Sequence, residues 1–270
     1  MSAPVIRPAP LTWLYVPGDR PEMMTKALSC GADVVIVDLE DAVAPERKEY
    51  ARAATTEFLS SSHETPVHVR IADERDLPSL AGLPGLAGLR VPKVDHASDI
   101  HRVASRAPDV ALYALLESAL AVEHAHAIAT AHPAVLGIAL GEADLRADLG
   151  VRDDAGLDWS RSRAVVAARA AGLPPPAQSV YPDVQDLDGL ASSCRRGRAL
   201  GLVGRAAIHP RQLPVIERAY LPTAREIVEA EEIIEAAAAD AGAHALPDGR
   251  FVDAAIVAAA RRTLSLATRR

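Results

Sequence analysis

Val34-Val35-Ile36-Val37-Asp38-Leu39 is a nearly unbroken apolar, β-branched run, and it stops at two carboxylates, Glu40 and Asp41. A strand with one wet face alternates apolar and polar residues. A run that is apolar at almost every position is buried on both faces, the condition of a strand in a parallel sheet covered by helices. The pattern recurs along the chain at Leu11–Pro17, Val67–Ile71, Leu89–Pro92, Ala111–Leu116, Val135–Leu140, Gln178–Tyr181 and Ala206–Ile208. Most of these eight runs are followed by Ala-rich helical periodicity, as in Pro45–Leu59 and Ser118–Ala131. Eight strand–helix units predict an α/β chain folded as a (β/α)8 TIM barrel. An open doubly wound sheet is the alternative, but it usually has fewer strands and a Gly-rich first turn. Neither G-x-G-x-x-G nor G-x-x-x-x-G-K-[ST] occurs here.

Composition agrees. Of 270 residues 49% are hydrophobic but only 3% aromatic, so the core must be built of Ala, Val, Leu and Ile, which suits helices around a parallel sheet. The net charge of −7, from 29 basic and 36 acidic residues, gives no support for nucleic-acid binding, although a few local Arg or Lys suffice for a phosphorylated small molecule. Cys30 and Cys194 form no pair motif and are expected as free thiols in a reducing compartment. Met1–Pro10 lacks an apolar signal core and no run of 18 apolar residues occurs, so no membrane association and a cytoplasmic location are expected.

After Ile208 the pattern changes. Arg211–Tyr220 fits an eighth helix, and Thr223–Ala241 a long Ala/Glu/Ile helix capped by Thr223, with Gly242 in the place of a C-cap glycine. Pro247-Asp248-Gly249 reads as a turn and Phe251–Ala267 as a last helix. The expected division is a barrel over 1–220 and a C-terminal helical arm or lid over 221–270, the alternative being a terminal helix pair that seals the barrel bottom.

Barrel enzymes carry their chemistry at the C-terminal ends of the strands. The polar residues at those ends are Asp19 and Arg20, then Asp38, Glu40 and Asp41, then Arg70, Lys93, Glu117, Glu142 and Asp144, then Tyr181 and Asp183, and finally His209. Several carboxylates facing one cavity repel unless they are protonated or share a cation. Magnesium takes one or two carboxylates and leaves its other positions to water or substrate. Glu117 after the fifth strand and Asp144 after the sixth are the expected pair, with Arg70 offering a planar fork to a substrate carboxylate or carbonyl. N-capping is the expected role of Asp19 and Asp41, a structural hydrogen bond that of His209, and a solvated helix face that of His124 and His126.

The residues also resemble a known family. The matching stretches are Leu14-Tyr15-Val16-Pro17-Gly18-Asp19-Arg20-Pro21-Glu22, Val37-Asp38-Leu39-Glu40-Asp41-Ala42, Val69-Arg70-Ile71, Val91-Pro92-Lys93, Leu116-Glu117-Ser118-Ala119, Asp144-Leu145, Arg161-Ser162-Arg163 and Ile208-His209-Pro210. Together they resemble the citrate lyase beta subunit-like (CitE-like) branch of the HpcH/HpaI aldolase family. The resemblance implies a barrel with a C-terminal lid, assembled as a homotrimer or hexamer, that makes or breaks 3-hydroxyacyl-CoA thioesters with Mg2+. CoA thioesters and 2-oxo acids are its implied small-molecule partners. It carries the metal ligands to Glu117 and Asp144, substrate binding to Arg70, a place near the active site to Glu40, and a lid aspartate reaching a neighbouring subunit to Asp253 in Gly249-Arg250-Phe251-Val252-Asp253.

Three departures stand out. The acid beside Asp144 sits at Glu142 in Gly141-Glu142-Ala143-Asp144, Gln178 stands where the family has Asp, and Arg205 where a Lys is common. The expected reaction is metal-assisted cleavage of a carbon–carbon bond, with Asp253 or Glu40 as acid–base and no need for Lys93 as a Schiff-base amine. Two alternatives stay open: hydrolysis of malyl-type CoA thioesters, and a citrate lyase complex subunit that acts only on an acyl-carrier partner. Citramalyl, malyl, citryl and hydroxymethylglutaryl thioesters all present similar oxygens to the metal, and scattered Arg such as Arg20 could meet the CoA phosphates.

Overall fold

The computed structural model describes residues 10–239, 244–245 and 251–269, which fall in two compact units, Leu11–Glu217 and a smaller one that includes Arg218–Arg270. The larger unit runs β1 (Thr12–Pro17), α1 (Pro21–Ala27), β2 (Val34–Asp38), α2 (Lys48–Leu59), β3 (Val67–Arg70), α3 (Leu77–Leu80), β4 (Leu86–Val91) and α4 (Ala97–Arg106). It continues with β5 (Leu112–Leu116), α5 (Ala119–Glu123), α6 (Ala125–Ala129), β6 (Val135–Leu140), α7 (Glu142–Leu149), α8 (Asp158–Ala170), α9 (Leu187–Ala199) and β7 (Arg205–Ala207), and α10 (Leu213–Tyr220) begins in it and ends past Glu217.

The seven strands form one parallel sheet in the order β6-β5-β4-β3-β2-β1-β7. All five residues of β2 are buried, as the unbroken apolar run requires. Each fully buried Val, Leu or Ile contributes about 1.5–3 kcal/mol to such a core. Ala139 and Leu140 on one outer strand and Ala206 on the other line the same cavity, so the sheet curls on itself. The helices are built to cover it. In α4 a capping box joins His96 and Asp99, and Ile100, Val103 and Ala104 are buried at the i, i+3, i+4 spacing. Gly150 ends α7 at φ 64°, the left-handed conformation that glycine adopts at little cost.

The run Gln178–Tyr181 differs from expectation. Only Gln178 bridges, to Arg205 on β7. Its N–H donates to the Gly204 carbonyl at 2.9 Å and its carbonyl accepts from Ala206 N–H at 2.9 Å. Pro174, Pro175, Pro176 and Pro182 flank this run and have no N–H to give, which limits the ladder. Nor does the expected Ser118–Ala131 helix run through: it divides into α5 and α6 at His124, whose Nδ1 lies 2.8 Å from the Asp95 carbonyl oxygen. His124 is therefore half-buried and hydrogen-bonded, while His126 is exposed as expected.

Two capping expectations fail. The residue before α1 is Arg20, with no side-chain cap, and Asp19 pairs instead with Arg47 at 3.3 Å. Asp41 pairs with Arg70, and the turn that follows β2 is held by Asp38. His209 does accept from Arg211 N–H at 3.1 Å, and Cys30 and Cys194 are free thiols.

In the smaller unit, α11 (Ala224–Ala239) packs on α12 (Ala254–Ala267), and β8 (His244–Ala245) pairs antiparallel with β9 (Phe251–Val252). Thr223 caps α11, accepting from Glu226 N–H at 3.2 Å while Glu226 returns the bond to Thr223 N–H. Gly242, the Pro247-Asp248-Gly249 turn and Arg250 lie outside the described residues. No helix among the described residues is long and apolar enough to cross a membrane.

Candidate active site

The C-terminal ends of the strands open onto a cavity of about 350 Å³. Asp38, Asp41, Arg70, Arg90, Glu117, Gly141, Glu142 and Asp144 line it, over a floor that includes Trp13 and Tyr15. The strand-end residues Asp19, Arg20, Glu40, Lys93, Tyr181, Asp183 and His209 are not among its lining.

Asp38 is the pivot of the basic side. In the sheet it is the register partner of Arg70. Its Oδ1 accepts from Arg70 Nε at 2.7 Å and Glu40 N–H at 2.9 Å, and its Oδ2 from Arg70 Nη2 at 2.6 Å and Ala42 N–H at 3.0 Å. One carboxylate thereby shapes the Glu40–Ala42 turn and locks the guanidinium in a bidentate fork. Arg70 Nη1 donates to Asp41 Oδ2 at 3.2 Å and lies 3.0 Å from Glu40 Oε2, an ion-pair distance without hydrogen-bond alignment. Burial works against the Arg70 charge, but the Asp38 bonds outweigh it and hold the proton more firmly than usual. The fork expected to meet substrate is thus occupied by Asp38, which leaves the second Nη2 hydrogen and the Nη1 edge for a ligand.

Glu40 is buried, and its carboxyl is raised by burial against the pull of Lys93 and Arg70. Lys93 Nζ reaches Glu40 Oε1 at 2.6 Å, and that bond raises the ammonium above its usual range. A Schiff-base lysine needs the opposite shift. The backbone of Lys93 has its own role. Its φ of 52° is in the left-handed region, a strain on the order of 1 kcal/mol, and the turn aims its N–H at Glu117 Oε2, 2.8 Å away.

Glu117 follows β5, is 5% exposed, and has its carboxyl pushed up to about 7. Burial is the largest cause, and the charges of Glu40 and Asp144 add to it. Its side chain lies directly over Gly141, where a Cβ would come within 2.3 Å of Oε1. Asp144, in the first turn of α7, is exposed to the cavity. The buried Glu117 carboxylate, whose charge is opposed by burial, Glu40 and Asp144, and the exposed Asp144 offer only oxygen donors, a set that fits a hard divalent cation. No group of three or more His, Cys, Asp or Glu placed for a metal occurs among the described residues, and magnesium asks the protein for one or two.

The acid beside Asp144 has a definite function. Glu142 is buried, and its two oxygens accept from Arg161 Nε at 2.8 Å and Nη2 at 2.7 Å. Arg161, 1% exposed, also binds Asp154 and Asp158, tying the start of α7 to α8. Gln178 Nε2 donates to the Ser193 carbonyl at 3.1 Å and Arg205 Nη1 to Ser193 Oγ at 2.9 Å, so both departures from the family pattern are anchored on α9. Asp253 lies in the smaller unit at the start of α12, where it accepts from Ala255 and Ile256 N–H at 2.9 Å each.

The clamp by Asp38, the Glu142–Arg161 pair, the Gly141 contact and Arg90 were not assigned roles from the sequence. Gly141 carried the one usable signal, a glycine directly before the acidic turn of α7. Gly141→Ala is expected to displace the Glu117 carboxylate and to weaken divalent-cation affinity by about 10–100-fold, as loss of ligand support does, with folding preserved. Cation titration of the two proteins measures this. Equal affinities would show that Glu117 is not a ligand or that its contact with Gly141 is slack.

The model of the HpcH/HpaI aldolase/citrate lyase family matches residues 11–210. A (3S)-malyl-CoA thioesterase of Cereibacter sphaeroides is 36% identical over 94% of this chain and 93% of its own. An L-malyl-CoA/beta-methylmalyl-CoA lyase of the same organism is 30% identical over 90% of each chain. Among solved structures, the protein CitE from Mycobacterium tuberculosis, in complex with magnesium, acetoacetate and coenzyme A, superposes with a TM-score of 0.81 at 32% identity, covering 96% of this chain and 98% of that one.

Proposed function

This chain belongs to the HpcH/HpaI aldolase/citrate lyase family, in its citrate lyase beta subunit-like branch, and we propose that it is a magnesium-dependent carbon–carbon lyase acting on a 3-hydroxyacyl-CoA thioester. The citramalyl, malyl, citryl and hydroxymethylglutaryl thioesters are the acyl class. The observation that carries this reading is the pair of carboxylates Glu117 and Asp144 lining one cavity with Arg70, Glu117 being buried there.

Glu117 and Asp144 would hold the magnesium. When bound, it supplies charge stabilisation to the substrate hydroxyl and carboxylate oxygens. Arg70, immobilised by Asp38, directs its remaining N–H toward the oxygen that becomes the 2-oxo carbonyl. A base removes the hydroxyl proton, the carbon–carbon electrons pass to the thioester α-carbon, and the resulting enolate takes up a proton to leave as the shorter acyl-CoA. Asp253, supplied from a neighbouring subunit of a homotrimer or hexamer, is the proposed base; Glu40, held between Lys93 and Arg70, is the alternative. In the same reading the curled sheet closes as a (β/α)8 barrel over 1–220, with the Gln178 segment as its remaining member. The helices of 221–270 form its lid, and the protein works in the cytoplasm.

Hydrolysis of the same thioesters is the second reading, favoured by the likeness to a malyl-CoA thioesterase. Incubating the isolated protein with magnesium and the four thioesters, with products read by mass spectrometry, separates the two. A shorter acyl-CoA plus an oxo acid (a 2-oxo acid from the citramalyl, malyl and citryl thioesters, a 3-oxo acid from the hydroxymethylglutaryl one) supports lysis, free CoA plus intact hydroxy acid supports hydrolysis, and no turnover of any free thioester overturns both.

The raised Glu117 carboxyl also sets a pH dependence. Below pH 7 the group carries a proton that a cation must displace, and above it the carboxylate is free. Apparent magnesium affinity is therefore expected to fall about tenfold per pH unit below 7 and to level off above it. Titration across roughly pH 5.5–8.5 reads this, and an affinity independent of pH would remove Glu117 from the site.

A further inference from the structure

Arg90 is a charged cavity residue that the reaction above does not use. It sits on β4 as the register partner of Arg70 on one side and Tyr113 on the other, so Asp38, Arg70, Arg90 and Tyr113 form a row across four adjacent strands. Its neighbour in that row is largely committed, since Arg70 is forked on Asp38 and pairs with Glu40 and Asp41, which leaves it only the outer N–H assigned above to the reacting oxygen. Arg90 is only 5% exposed and lines the cavity, yet its Nε is buried with no hydrogen-bond partner, and no ion pair reaches its guanidinium among the described residues.

What surrounds it is aromatic. The guanidinium carbon lies 5.5 Å from the Tyr113 ring centroid and 6.0 Å from that of Trp13. Tyr113 stacks on His68 at 4.6 Å, and burial, reinforced by the Arg90 charge, pushes His68 down to about 3, so His68 stays neutral and gives no counter-charge. Ring faces steady a cation but leave its N–H edge unbonded. A guanidinium does not escape burial by losing its proton, so a buried and unpaired one calls for an anion. Burial and the repulsion of Arg70 both press in that direction. The cavity brings solvent and ligands to this edge, and a planar carboxylate matches it.

We propose that Arg90 is a specificity residue that binds a second carboxylate on the acid portion of the substrate, so that the enzyme selects thioesters whose 2-oxo acid product is dicarboxylic. This rests on the lyase reading. It makes Arg70 the group for the reacting oxygen and Arg90 the group that reads what is attached beyond it.

The test compares two 2-oxo acids that differ by one carboxylate, oxaloacetate and pyruvate, binding to the magnesium-loaded protein by calorimetry. The wild type is expected to prefer oxaloacetate by about tenfold or more. Arg90→Met should weaken oxaloacetate alone, bringing the two within about twofold, and Arg90→Lys should restore part of the preference. Equal affinities in the wild type, or a loss shared by both acids in Arg90→Met, would overturn the assignment and leave Arg90 as ring packing while the lyase reading stands. A wild type that binds neither acid would overturn the lyase reading and this one with it. Should Arg90→Met fail to fold, the wild-type preference and its partial retention in Arg90→Lys decide the matter.

Discussion

Glu117→Gln is expected to lower kcat/KM on the preferred thioester by at least about a hundredfold and to remove its dependence on magnesium. The substitution keeps shape and volume, so Lys93 N–H still finds an oxygen to bond. It also removes a charge that burial, Glu40 and Asp144 all oppose. The folded protein should therefore be no less stable than wild type in the absence of metal, and more stable above pH 7. The sign follows from linkage. A carboxyl raised from about 4.5 in the unfolded chain to about 7 in the folded one costs stability as pH climbs through that interval, and the amide does not titrate. Loss of activity with a gain in metal-free stability separates a ligand from a packing residue, since a packing role predicts that both fall together. Full magnesium-dependent turnover in the variant would sink the metal assignment. The measurements are steady-state kinetics across magnesium concentration and thermal unfolding in chelator at about pH 5 and 8.

What could be read in advance follows from which interactions are local. Val34–Asp38 is a strand because of its own side chains, and the acids at its end sit where chain direction alone puts them. The same is true of Glu117 after β5 and Asp144 after β6. Cross-chain pairing is different. Nothing in the order of residues says that Arg70 spends its fork on Asp38, 32 positions earlier, rather than on substrate, or that Arg161 closes on Glu142, 19 positions earlier. Asp19 and Asp41 illustrate the same limit. Each stands ahead of a helix, as a cap does, but an arginine brought near by the fold takes the carboxylate instead. The expected strand at Gln178–Tyr181 is cut to a single bridge because its apolar residues suit a strand while the prolines around it withhold donors. Arg90 stands in sequence as one polar residue within an apolar run, and only the fold places it on the cavity beside Arg70 and Tyr113.

The largest effect on stability is expected at Arg161, which does not line the cavity itself but holds Glu142, which does. Its guanidinium is 1% exposed and meets three carboxylates, with two bonds to Glu142, two to Asp154 at 2.8 Å and one to Asp158 at 3.1 Å. Arg161→Met fills much of the volume but leaves the buried Glu142 without a cation, while Asp154 keeps Arg146 and Asp158 keeps Arg196. Removing one partner of a buried pair in this way costs about 3–5 kcal/mol, whereas the intact pair adds little over an apolar replacement of all its members. A urea titration followed by circular dichroism reads the loss as a lower midpoint with an unchanged slope. The loss should shrink in acid. Arg161 is the first cause holding the Asp154 carboxyl down at about 2, so its stabilising contribution is complete above the unfolded value near 4 and disappears as pH falls through 2. Glu142→Gln with Arg161 intact should cost less, because the guanidinium keeps Asp154 and Asp158. The variant also bears on catalysis, since Glu142 opens the helix whose first turn carries Asp144. Loosening that turn is expected to weaken magnesium binding by about 10–100-fold while leaving the Arg70 clamp untouched. A loss under about 1 kcal/mol in Arg161→Met would mean that α7 is positioned by its apolar packing alone, and that the shifted acid at Glu142 is incidental to the site.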